Sequence, residues 1–224
     1  MLRRAIPATQ AVLGVTGRRR TLPNDDNHTK TLENVSRETL EQLDAYVGLI
    51  QKWTKSISLI SKGDYEIIWS RHVLDSLRLT PLIPQDATRG IDLGSGAGFP
   101  GIILALVTGL PFDLIEADQR KAAFLIEAQR VTGAPVQIHC ARIEDLRLPP
   151  GALVTARALA PLTTLLAYAH PLLLPEGVAL FPKGARATQE IAEARRHWRM
   201  RVNRFDDPQQ PESTILAITD LTHA

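Results

Sequence analysis

The sequence contains almost no cysteine, and this scarcity excludes several kinds of protein. Cys140 is the single cysteine in 224 residues, so an intramolecular disulfide framework is impossible and a reducing compartment, the cytoplasm, is expected. No group of cysteine and histidine residues has the spacing of a metal site, and we expect no metal. No apolar run approaches the length of about 20 residues that a membrane-spanning helix needs, so we expect no contact with a membrane.

The chain also lacks a strong excess of charge of either sign. Its 26 Lys and Arg residues against 24 Asp and Glu residues give a formal net charge of +2. The charge is unevenly distributed, because the segment from Lys183 to Arg204 holds seven basic residues against Glu190 and Glu193. A nucleic-acid partner is compatible with that basic segment, although the total charge does not require one.

The chain divides into three parts by composition and periodicity. Residues 1–34 are polar and basic without sustained periodicity, which predicts a disordered tail. Five arginines and no acid in the first twenty residues resemble an organellar presequence, but a bacterial tail or an overlong start is the interpretation we favour. Apolar residues at helical spacing predict helices over Ser36–Trp53 and Tyr65–Leu79, within an N-terminal helical cap of residues 35–84. Residues 85–224 are expected to form the main domain.

Glycine is concentrated in one stretch, around which the rest of the chain is organised. Residues 89–106 read RGIDLGSGAGFPGIILAL: an apolar run that ends in Asp92, four glycines within eight residues, and a second apolar run. This order predicts a strand, a glycine-rich turn and a helix, the first unit of a nucleotide-binding α/β sheet. Glycine is required because a cofactor must approach the backbone closely and because the turn needs positive φ angles.

Two classes of cofactor use such a turn. The segment from Gly96 to Gly101 satisfies G-x-G-x-x-G, so an NAD(P)-dependent oxidoreductase is one hypothesis. The alternative frame, Asp92-x-Gly94-x-Gly96, is typical of S-adenosylmethionine (AdoMet) methyltransferases, in which the acid faces the methionine end of the cofactor. A carboxylate there repels a pyrophosphate but not a sulfonium cation, and Pro100 removes an N–H where a phosphate would bind. We therefore favour AdoMet.

From Gly90 onward, strand-like and helix-like runs alternate, which predicts an α/β fold with a doubly wound, mainly parallel sheet. The predicted strands are Gly90–Leu93, Phe112–Glu116, Val136–His139, Leu153–Ala156, Val178–Phe181 and Thr214–Thr219. The predicted helices between them are Phe99–Val107, Gln119–Val131, Leu162–Leu173 and Ala187–Met200. The carboxyl ends of the parallel strands should share one edge of the sheet, where a binding crevice is expected.

Acidic residues follow the second and third predicted strands at this edge. Glu116 comes directly after the second strand, where an acid accepts hydrogen bonds from ribose hydroxyls. Asp118 either shares that role or begins the next helix as its N-cap. Ile143 and Glu144 follow the third strand, where a methyltransferase sheet borders the adenine and needs an apolar wall and an acceptor for the exocyclic amine.

The fourth predicted strand is followed by Arg157 instead of a group that takes a proton. The motif with which amine methyltransferases orient an NH2 group is absent, and Cys140 is misplaced for the nucleophile of a carbon-5 pyrimidine enzyme. Guanine N7 has a free lone pair, so its methylation requires alignment and exclusion of water without a general base. We assign no catalytic residue and expect Arg157 to contact the cofactor or a phosphate.

The segment Asp92 to Gly101, DLGSGAGFPG, resembles the glycine motif of the RsmG (GidB) family, the bacterial small-subunit rRNA (guanine-N7)-methyltransferases. The resemblance extends from about Val35 to the C-terminus through further motifs in the same order: ISK (60–62), RHVLDS (71–76), ARIE (141–144), TARA (155–158) and ALFPKG (179–184). It implies a Rossmann-like class I AdoMet methyltransferase with an N-terminal helical cap.

The resemblance also implies a set of site residues and a substrate. The cofactor-binding positions that it transfers are Gly94, Phe99, Ile143, Glu144 and Arg157, with Glu116 at the ribose and with Asp92 and Gly96 in the same motif. The implied reaction is methyl transfer to N7 of a guanine in 16S rRNA, within the small subunit or an assembly intermediate. We expect the enzyme to be a cytoplasmic monomer.

Three residues are candidates for RNA contact. Arg71 and His72 lie on the predicted helix that would line the cleft, and Lys183 lies at the tip of the fifth strand. An ion pair within the helix and a contact between cap and domain explain Arg71 and His72 equally well. A non-catalytic RNA-binding module remains as a further hypothesis, against which the intact cofactor turn argues.

Overall fold

A seven-stranded mixed sheet with helices on both faces forms the body of the protein. The computed structural model describes Leu32, residues 35–208 and residues 210–224. The predicted disordered tail, residues 1–34, therefore lies outside the described residues except for Leu32. The strands are Gly90–Leu93 (β1), Phe112–Ile115 (β2), Val136–His139 (β3), Gly151–Ala156 (β4), Leu173–Lys183 (β5), Trp198–Asp206 (β6) and Thr214–His223 (β7). Their order across the sheet is β3-β2-β1-β4-β5-β7-β6.

The first five strands are parallel, and β7 runs antiparallel to both β5 and β6. This confirms the predicted α/β fold with a mainly parallel sheet. In the register of the central strands, Leu93 pairs with Ile115 of β2 and with Ala156 of β4. Three strands therefore end at one level, and the residues that follow them meet at one edge of the sheet.

Six α-helices accompany the sheet in the described part of the chain. They are Arg37–Trp53 (α1), Leu74–Leu77 (α2), Gly101–Thr108 (α3), Gln119–Thr132 (α4), Leu162–Ala169 (α5) and Ala187–Ala194 (α6). A π-helical turn, Trp69–Val73, leads directly into α2. None of these helices is long and apolar enough to cross a membrane.

Side-chain caps begin two of the longer helices. Ser36 precedes α1, and its hydroxyl accepts a hydrogen bond from the backbone N–H of Thr39 at 3.1 Å. Asp118 precedes α4, and its carboxylate accepts from the backbone N–H groups of Arg120 and Lys121. Caps of this kind satisfy N–H groups that have no partner within the first turn of a helix. The alternative role of Asp118 as an N-cap is thus observed.

Two apolar clusters hold the helices against the sheet. On one face, α1 and α2 of the cap pack in a common cluster with α3 and α4, through buried residues such as Leu43, Leu74 and Phe124. On the other face, α5 and α6 pack through Leu165 and Ile191. The cap therefore shares its core with the sheet, next to the turn between β1 and α3.

The prediction for residues 187–200 was wrong in its second half. The helix ends at Ala194, and β6 begins at Trp198 as an unpredicted edge strand. Trp198, Met200 and Val202 alternate along it and pack against the sheet cluster, while Arg199 and Arg201 are exposed between them. An edge strand tolerates such charged residues because one of its sides has no partner strand. Several arginines in this segment made the alternation of apolar and polar residues, which indicates a strand, hard to recognise.

Several other predicted elements have the correct type but different ends. The predicted strand Val178–Phe181 lies inside the longer β5, and the predicted Thr214–Thr219 extends to His223 in β7. The predicted helix Tyr65–Leu79 is reduced to the π-helical turn and α2, between short 3₁₀ turns at Lys62–Asp64 and Thr80–Leu82. Tertiary packing decides these ends, because the local apolar pattern continues past them.

Candidate functional site

The glycine-rich turn connects the carboxyl end of β1 to the start of α3. Gly94, Gly96 and Gly98 have φ angles of +62°, +56° and +90°, a region that side chains other than glycine rarely adopt. A Cβ at Gly94 would lie 2.5 Å from Cδ1 of Leu159, and a Cβ at Gly98 would lie 2.7 Å from the hydroxyl of Tyr46. The positive φ of Gly94 therefore favours glycine, and a side chain there would also displace Leu159, as expected for a cofactor cradle.

Glu116, the predicted ribose acceptor, holds this turn against the end of β2. Its Oε2 accepts from the backbone N–H of Gly96 at 2.7 Å, and its Oε1 accepts from the backbone N–H of Asp118 at 2.8 Å. The residue is buried. It lies at the turn where the sequence placed it, and its contact with a ribose stays a prediction.

Asp92, the last but one residue of β1, is fully buried beneath the turn. Its Oδ1 accepts from the hydroxyl of Thr155 on β4 at 2.7 Å, whereas Oδ2 has no donor among the described residues that meets hydrogen-bond geometry. Burial raises the pKa of Asp92 to about 6, against the opposing effects of the Thr155 and Ser95 hydroxyls, the Arg157 cation and the Gly101 N–H. Asp92 thus braces β1 against β4, and its contact with the methionine end of a cofactor stays a prediction.

Arg157, Phe99 and His72 come together over the turn. The guanidinium carbon of Arg157 lies 4.9 Å from the centre of the Phe99 ring, and the His72 ring stacks on the same ring at 5.0 Å and 22°. Phe99 belongs to the glycine turn, Arg157 follows β4 and His72 comes from the cap, so residues of three elements meet beside the turn. They lie at the sheet edge where a binding crevice is expected, and we call this position the cleft. A cation beside an aromatic ring is stabilised by the negative face of the ring.

Burial of this cluster lowers the pKa values of its two basic groups. The pKa of His72 is lowered to about 4, chiefly by burial and then by the Arg157 cation, and Asp64 opposes the shift. The pKa of the Arg157 guanidinium is also lowered by burial, against the field of nearby acids, of which Asp75 contributes most. At neutral pH the cleft therefore contains a neutral imidazole and one guanidinium cation.

Arg71 and His72, predicted to contact RNA, are separated by their exposure. Arg71 is more than half exposed and its Nε lies 3.3 Å from Asp64 Oδ1. His72 is buried, and its Nε2 lies 3.3 Å from Asp64 Oδ2 without the geometry of a hydrogen bond. Arg71 can thus reach a phosphate at the surface, whereas His72 can only meet a group that enters the cleft.

Ile143 and Glu144, the predicted adenine contacts, lie beside a cavity of about 290 Å³. Tyr168 on α5 also lines the cavity, and its hydroxyl donates to Glu144 Oε1 at 2.8 Å. The pKa of Glu144 is lowered by a backbone hydrogen bond and by that hydroxyl. The carboxylate is therefore ionised and available as an acceptor at this side of the site.

Lys183, the third candidate for RNA contact, is tied inside the fold. Its Nζ lies 2.7 Å from Glu190 Oε2 and donates to the carbonyl of Ala160 at 2.9 Å. Glu190 Oε2 also accepts from the backbone N–H of Leu162 at the start of α5. The ammonium therefore joins β5, α5 and α6, and phosphate contact by Lys183 stays a prediction that requires sharing or opening of this ion pair.

Sequence reasoning missed Tyr46, which joins the cap to the turn. Its ring is fully buried in α1, packs edge-on against Phe99 with ring centres 5.5 Å apart, and its hydroxyl donates to the carbonyl of Ala97. Burial raises the pKa of Tyr46 well above its usual value, so the hydroxyl stays protonated. In the sequence Tyr46 is one apolar-face residue of an amphipathic helix, and nothing distinguishes it from its core neighbours.

The arrangement fits a nucleoside cofactor that has a positively charged centre. The glycine turn, an acid after β2 and an acid after β3 lie along one sheet edge, and ligands of such sheets bind in the crevice at that edge. Among the described residues, no group of three or more His, Cys, Asp or Glu could hold a metal ion.

Comparison with known proteins agrees with this geometry. A family model described as GidB, rRNA small subunit methyltransferase G, matches residues 39–210. A protein named Ribosomal RNA small subunit methyltransferase G from Granulibacter bethesdensis is 50% identical over 188 residues, which cover 84% of this chain and 88% of that protein. A protein of the same name from Rhodospirillum centenum is 46% identical over 187 residues, covering 84% and 87%.

Solved structures with the same fold have much lower identity. Cofactor-bound Rv0187 from MTB has a TM-score of 0.59 at 15% identity, over 89% of this chain and 99% of that one. A ribosomal protein L11 methylase from Lactobacillus delbrueckii subsp. bulgaricus has a TM-score of 0.56 at 14% identity, over 66% and 78%. At these identities the similarity shows the fold alone, a Rossmann-like methyltransferase sheet.

Proposed function

The chain belongs to the GidB family of small-subunit rRNA methyltransferases, and from that premise we propose that it methylates N7 of a guanine in 16S rRNA. It is an AdoMet-dependent rRNA methyltransferase. The observation that supports N7 as the acceptor is the cleft of Arg157, Phe99 and His72 above the glycine turn, which combines a fixed cation and aromatic walls with a neutral imidazole.

The residues present fit AdoMet. Gly94, Gly96 and Phe99 would hold it at the turn, Glu116 at the ribose, and Ile143 with Glu144 at the adenine. Asp92 and Arg157 would balance its charged methionine end. When bound, the cofactor supplies an electrophilic methyl group on a sulfonium.

The residues of the chain then position the acceptor without moving a proton. Guanine N7 attacks with a free lone pair, so no side chain has to accept a proton before the methyl group is transferred. The Phe99 ring and the buried His72 ring exclude water from one side of the cleft. Holding two reactants in line in this way removes much of the entropic cost of a bimolecular reaction.

The RNA contacts are part of the proposal. Arg71 is exposed at the mouth of the cleft and can approach a phosphate, and His72 can approach a base that has entered it. Lys183 would contact RNA only through the small part of its side chain that is exposed, because Glu190 and the Ala160 carbonyl bind its ammonium group. RNA outside regular helices is recognised through such splayed bases and backbone phosphates.

The proposed substrate is 16S rRNA within the small subunit or an assembly intermediate, modified by a monomer. Ribosomal subunits are assembled in the bacterial cytoplasm, which is therefore the proposed location. We retain the division into a cap of residues 35–84 and a methyltransferase domain of residues 85–224 as a working description, supported by the position of the cap helices over the turn.

The test is transfer of labelled methyl groups from AdoMet to small subunits from cells that lack the gene, followed by nucleoside analysis. Label in 7-methylguanosine is the expected result. Label in another nucleoside would support AdoMet as the cofactor but exclude guanine N7 as the methyl acceptor. The absence of label, on subunits and on stripped rRNA alike, would contradict the proposed substrate.

A further inference from the structure

One face of the helical segment 69–77 in the cap lies next to Phe99 of the glycine turn. His72 and Asp75 are three residues apart and therefore share a face of this segment. The His72 ring stacks on Phe99 of the glycine turn at 5.0 Å, and the guanidinium carbon of Arg157 lies 4.9 Å from the same ring. Asp75 is thus placed one turn further along the same face, on the cap side of the cleft.

Asp75 differs from the other acids near it because its carboxylate has no direct partner. Asp64 lies 3.3 Å from both Arg71 and His72, and Asp207 lies 2.9 Å from Arg78. Within the part of the chain that the structure describes, Asp75 forms no hydrogen bond and no ion pair, although it is half-buried. A half-buried carboxylate without a partner is costly to the fold, and such groups are typical of binding sites.

Three cations around Asp75 oppose the effect of burial on the pKa of its carboxyl group. Burial raises its pKa, while the cations of Arg157, Arg78 and Arg71 act in the opposite direction and Asp207 adds to the increase. Asp75 is also the largest charge partner of Arg157. The carboxylate is therefore attracted to the cleft without being bonded across it, and its oxygens can accept hydrogen bonds from a ligand.

We infer that Asp75 reads the Watson–Crick edge of the target guanine, accepting hydrogen bonds from its N1–H and 2-amino groups. This inference rests on the proposed function. Among the four RNA bases, guanine alone presents two adjacent donors on that edge, and a carboxylate has two acceptor oxygens that match them. Unstacked bases are read on this edge by proteins that bind single-stranded RNA or flip a base.

The same contact leaves the reacting atom free. N7 lies on the Hoogsteen side of the purine, away from the Watson–Crick edge, so an acid at N1 and the 2-amino group does not compete with the methyl group for the lone pair. Adenine would present the acceptor N1 to the carboxylate, and the repulsion would exclude it. Asp75 would therefore select guanine and turn its N7 toward the glycine turn.

The experiment compares guanosine with inosine at the modified position, once that position has been mapped. Inosine retains N7, O6 and N1–H and lacks only the 2-amino group. Semisynthetic 16S rRNA containing either nucleoside is assembled into small subunits and methylated by the full-length enzyme. The wild type should lose about tenfold or more in kcat/KM on inosine, the usual effect of removing a hydrogen bond to a charged group.

The variant Asp75→Asn should react slowly with guanosine and no longer distinguish the two nucleosides. Its AdoMet Kd, measured by calorimetry, should equal that of the wild type, because Asp75 is not part of the cofactor cradle. Asp86→Asn, which changes an exposed acid between the cap and β1, should behave as the wild type in both assays.

Two results would overturn the inference while leaving the proposed function intact. One is equal methylation of inosine and guanosine by the wild type, a measurement that needs no variant. The other is an Asp75→Asn enzyme that retains the full preference for guanosine. Failure of the wild type to form 7-methylguanosine on guanosine subunits would instead reject the proposed function.

Discussion

At the scale of the single residue, glycine and carboxylate positions define the site. Gly94 has a φ of +62°, and a Cβ there would displace the Leu159 side chain, whereas Gly109, at the end of α3, has a φ of +72° and open space around it. The two glycines have the same backbone conformation but different surroundings. Gly109 therefore needs glycine only for its backbone angle, whereas Gly94 also lies where a side chain would occupy the proposed cofactor site.

We predict that Gly94→Asp abolishes AdoMet binding, because the side chain would collide with Leu159 and add charge to the cradle. Gly109→Asp is the matched control, since it introduces the same side chain at the same type of backbone angle. The control should lose thermal stability through backbone strain and retain its AdoMet affinity. Isothermal calorimetry provides the measurement, and normal binding by Gly94→Asp would move the cofactor away from this turn.

A second prediction concerns the buried carboxylate of Asp92. Its pKa is raised from 3.8 to about 6 by burial, so the folded state binds its proton more tightly than the unfolded state does. The resulting stabilisation is complete below pH 4 and is lost as the pH rises through about 6. The full effect is on the order of 3 kcal/mol, from 1.36 kcal/mol per pKa unit.

Urea unfolding of the wild type and of Asp92→Asn between pH 4 and pH 8 measures this effect. The free energy of unfolding of the wild type, relative to the Asn variant, should decrease with rising pH across that window. His72, whose lowered pKa acts with the opposite sign in the same range, is present in both proteins, so the difference isolates Asp92. A difference that is constant with pH would show that Asp92 ionises as it does in the unfolded chain.

At the scale of the element, the cap helix α1 and the glycine turn form one unit. Tyr46 of α1 donates to the carbonyl of Ala97, packs on Phe99, and occupies the space next to Gly98. The shape of the turn therefore depends on a residue more than 40 positions earlier in the chain. Movement of α1 would change the cradle directly.

We predict that Tyr46→Phe weakens AdoMet binding and lowers the free energy of unfolding by about 1–3 kcal/mol, because a buried carbonyl is left without its donor. Tyr65→Phe is the matched control in the same cap, as the Tyr65 hydroxyl forms no hydrogen bond among the described residues. Urea unfolding and calorimetry measure the two effects. Unchanged AdoMet affinity in Tyr46→Phe would show that the turn keeps its shape without the cap.

At the scale of the whole molecule, the basic residues of the last third lie on two different kinds of structure. Arg199 is exposed on the edge strand β6, and Arg201, exposed on the same strand, pairs with Asp220 at 3.2 Å. Lys183 is held by Glu190 at the junction of β5, α5 and α6. The local charge excess seen in the sequence is therefore only partly available to a partner. Exposed arginines are the better candidates for a long-range attraction to rRNA.

We predict that Lys183→Met destabilises the fold by about 1–3 kcal/mol, because the Glu190 carboxylate loses its cation and keeps only the Leu162 N–H as a donor. The loss should be non-additive with Glu190→Gln. If Lys183 also contacts a phosphate, the slope of subunit affinity against salt concentration becomes shallower by about one. Arg199→Met serves as the comparison, with an expected change in the salt slope and none in stability.

Much of the fold was predictable because local signals and packing agree. The order of an apolar strand, a glycine-rich turn and an apolar helix around Gly94 predicts one arrangement of these elements. The alternation of strand-like and helix-like runs after it predicts a mainly parallel sheet. The strand β6 was missed because arginines on an edge strand disguise its period of two. The positions of Glu116 and Arg157 followed from their places directly after strands that end at one edge of the sheet.

The sequence by itself determined the glycine turn, the candidate residues that directly follow each parallel strand, and the family, since these depend on local patterns. Tertiary structure alone decided which side chains surround the cleft. Tyr46 and His72 of the cap both pack on Phe99, and Asp75 lies within the electrostatic influence of Arg157. One apolar cluster, shared by α1, the segment 69–77, α3 and α4, holds the cap in this position. Whether a charge is paired also depends on the fold: Glu190 binds Lys183, whereas Asp75 has no ion pair or hydrogen bond among the described residues.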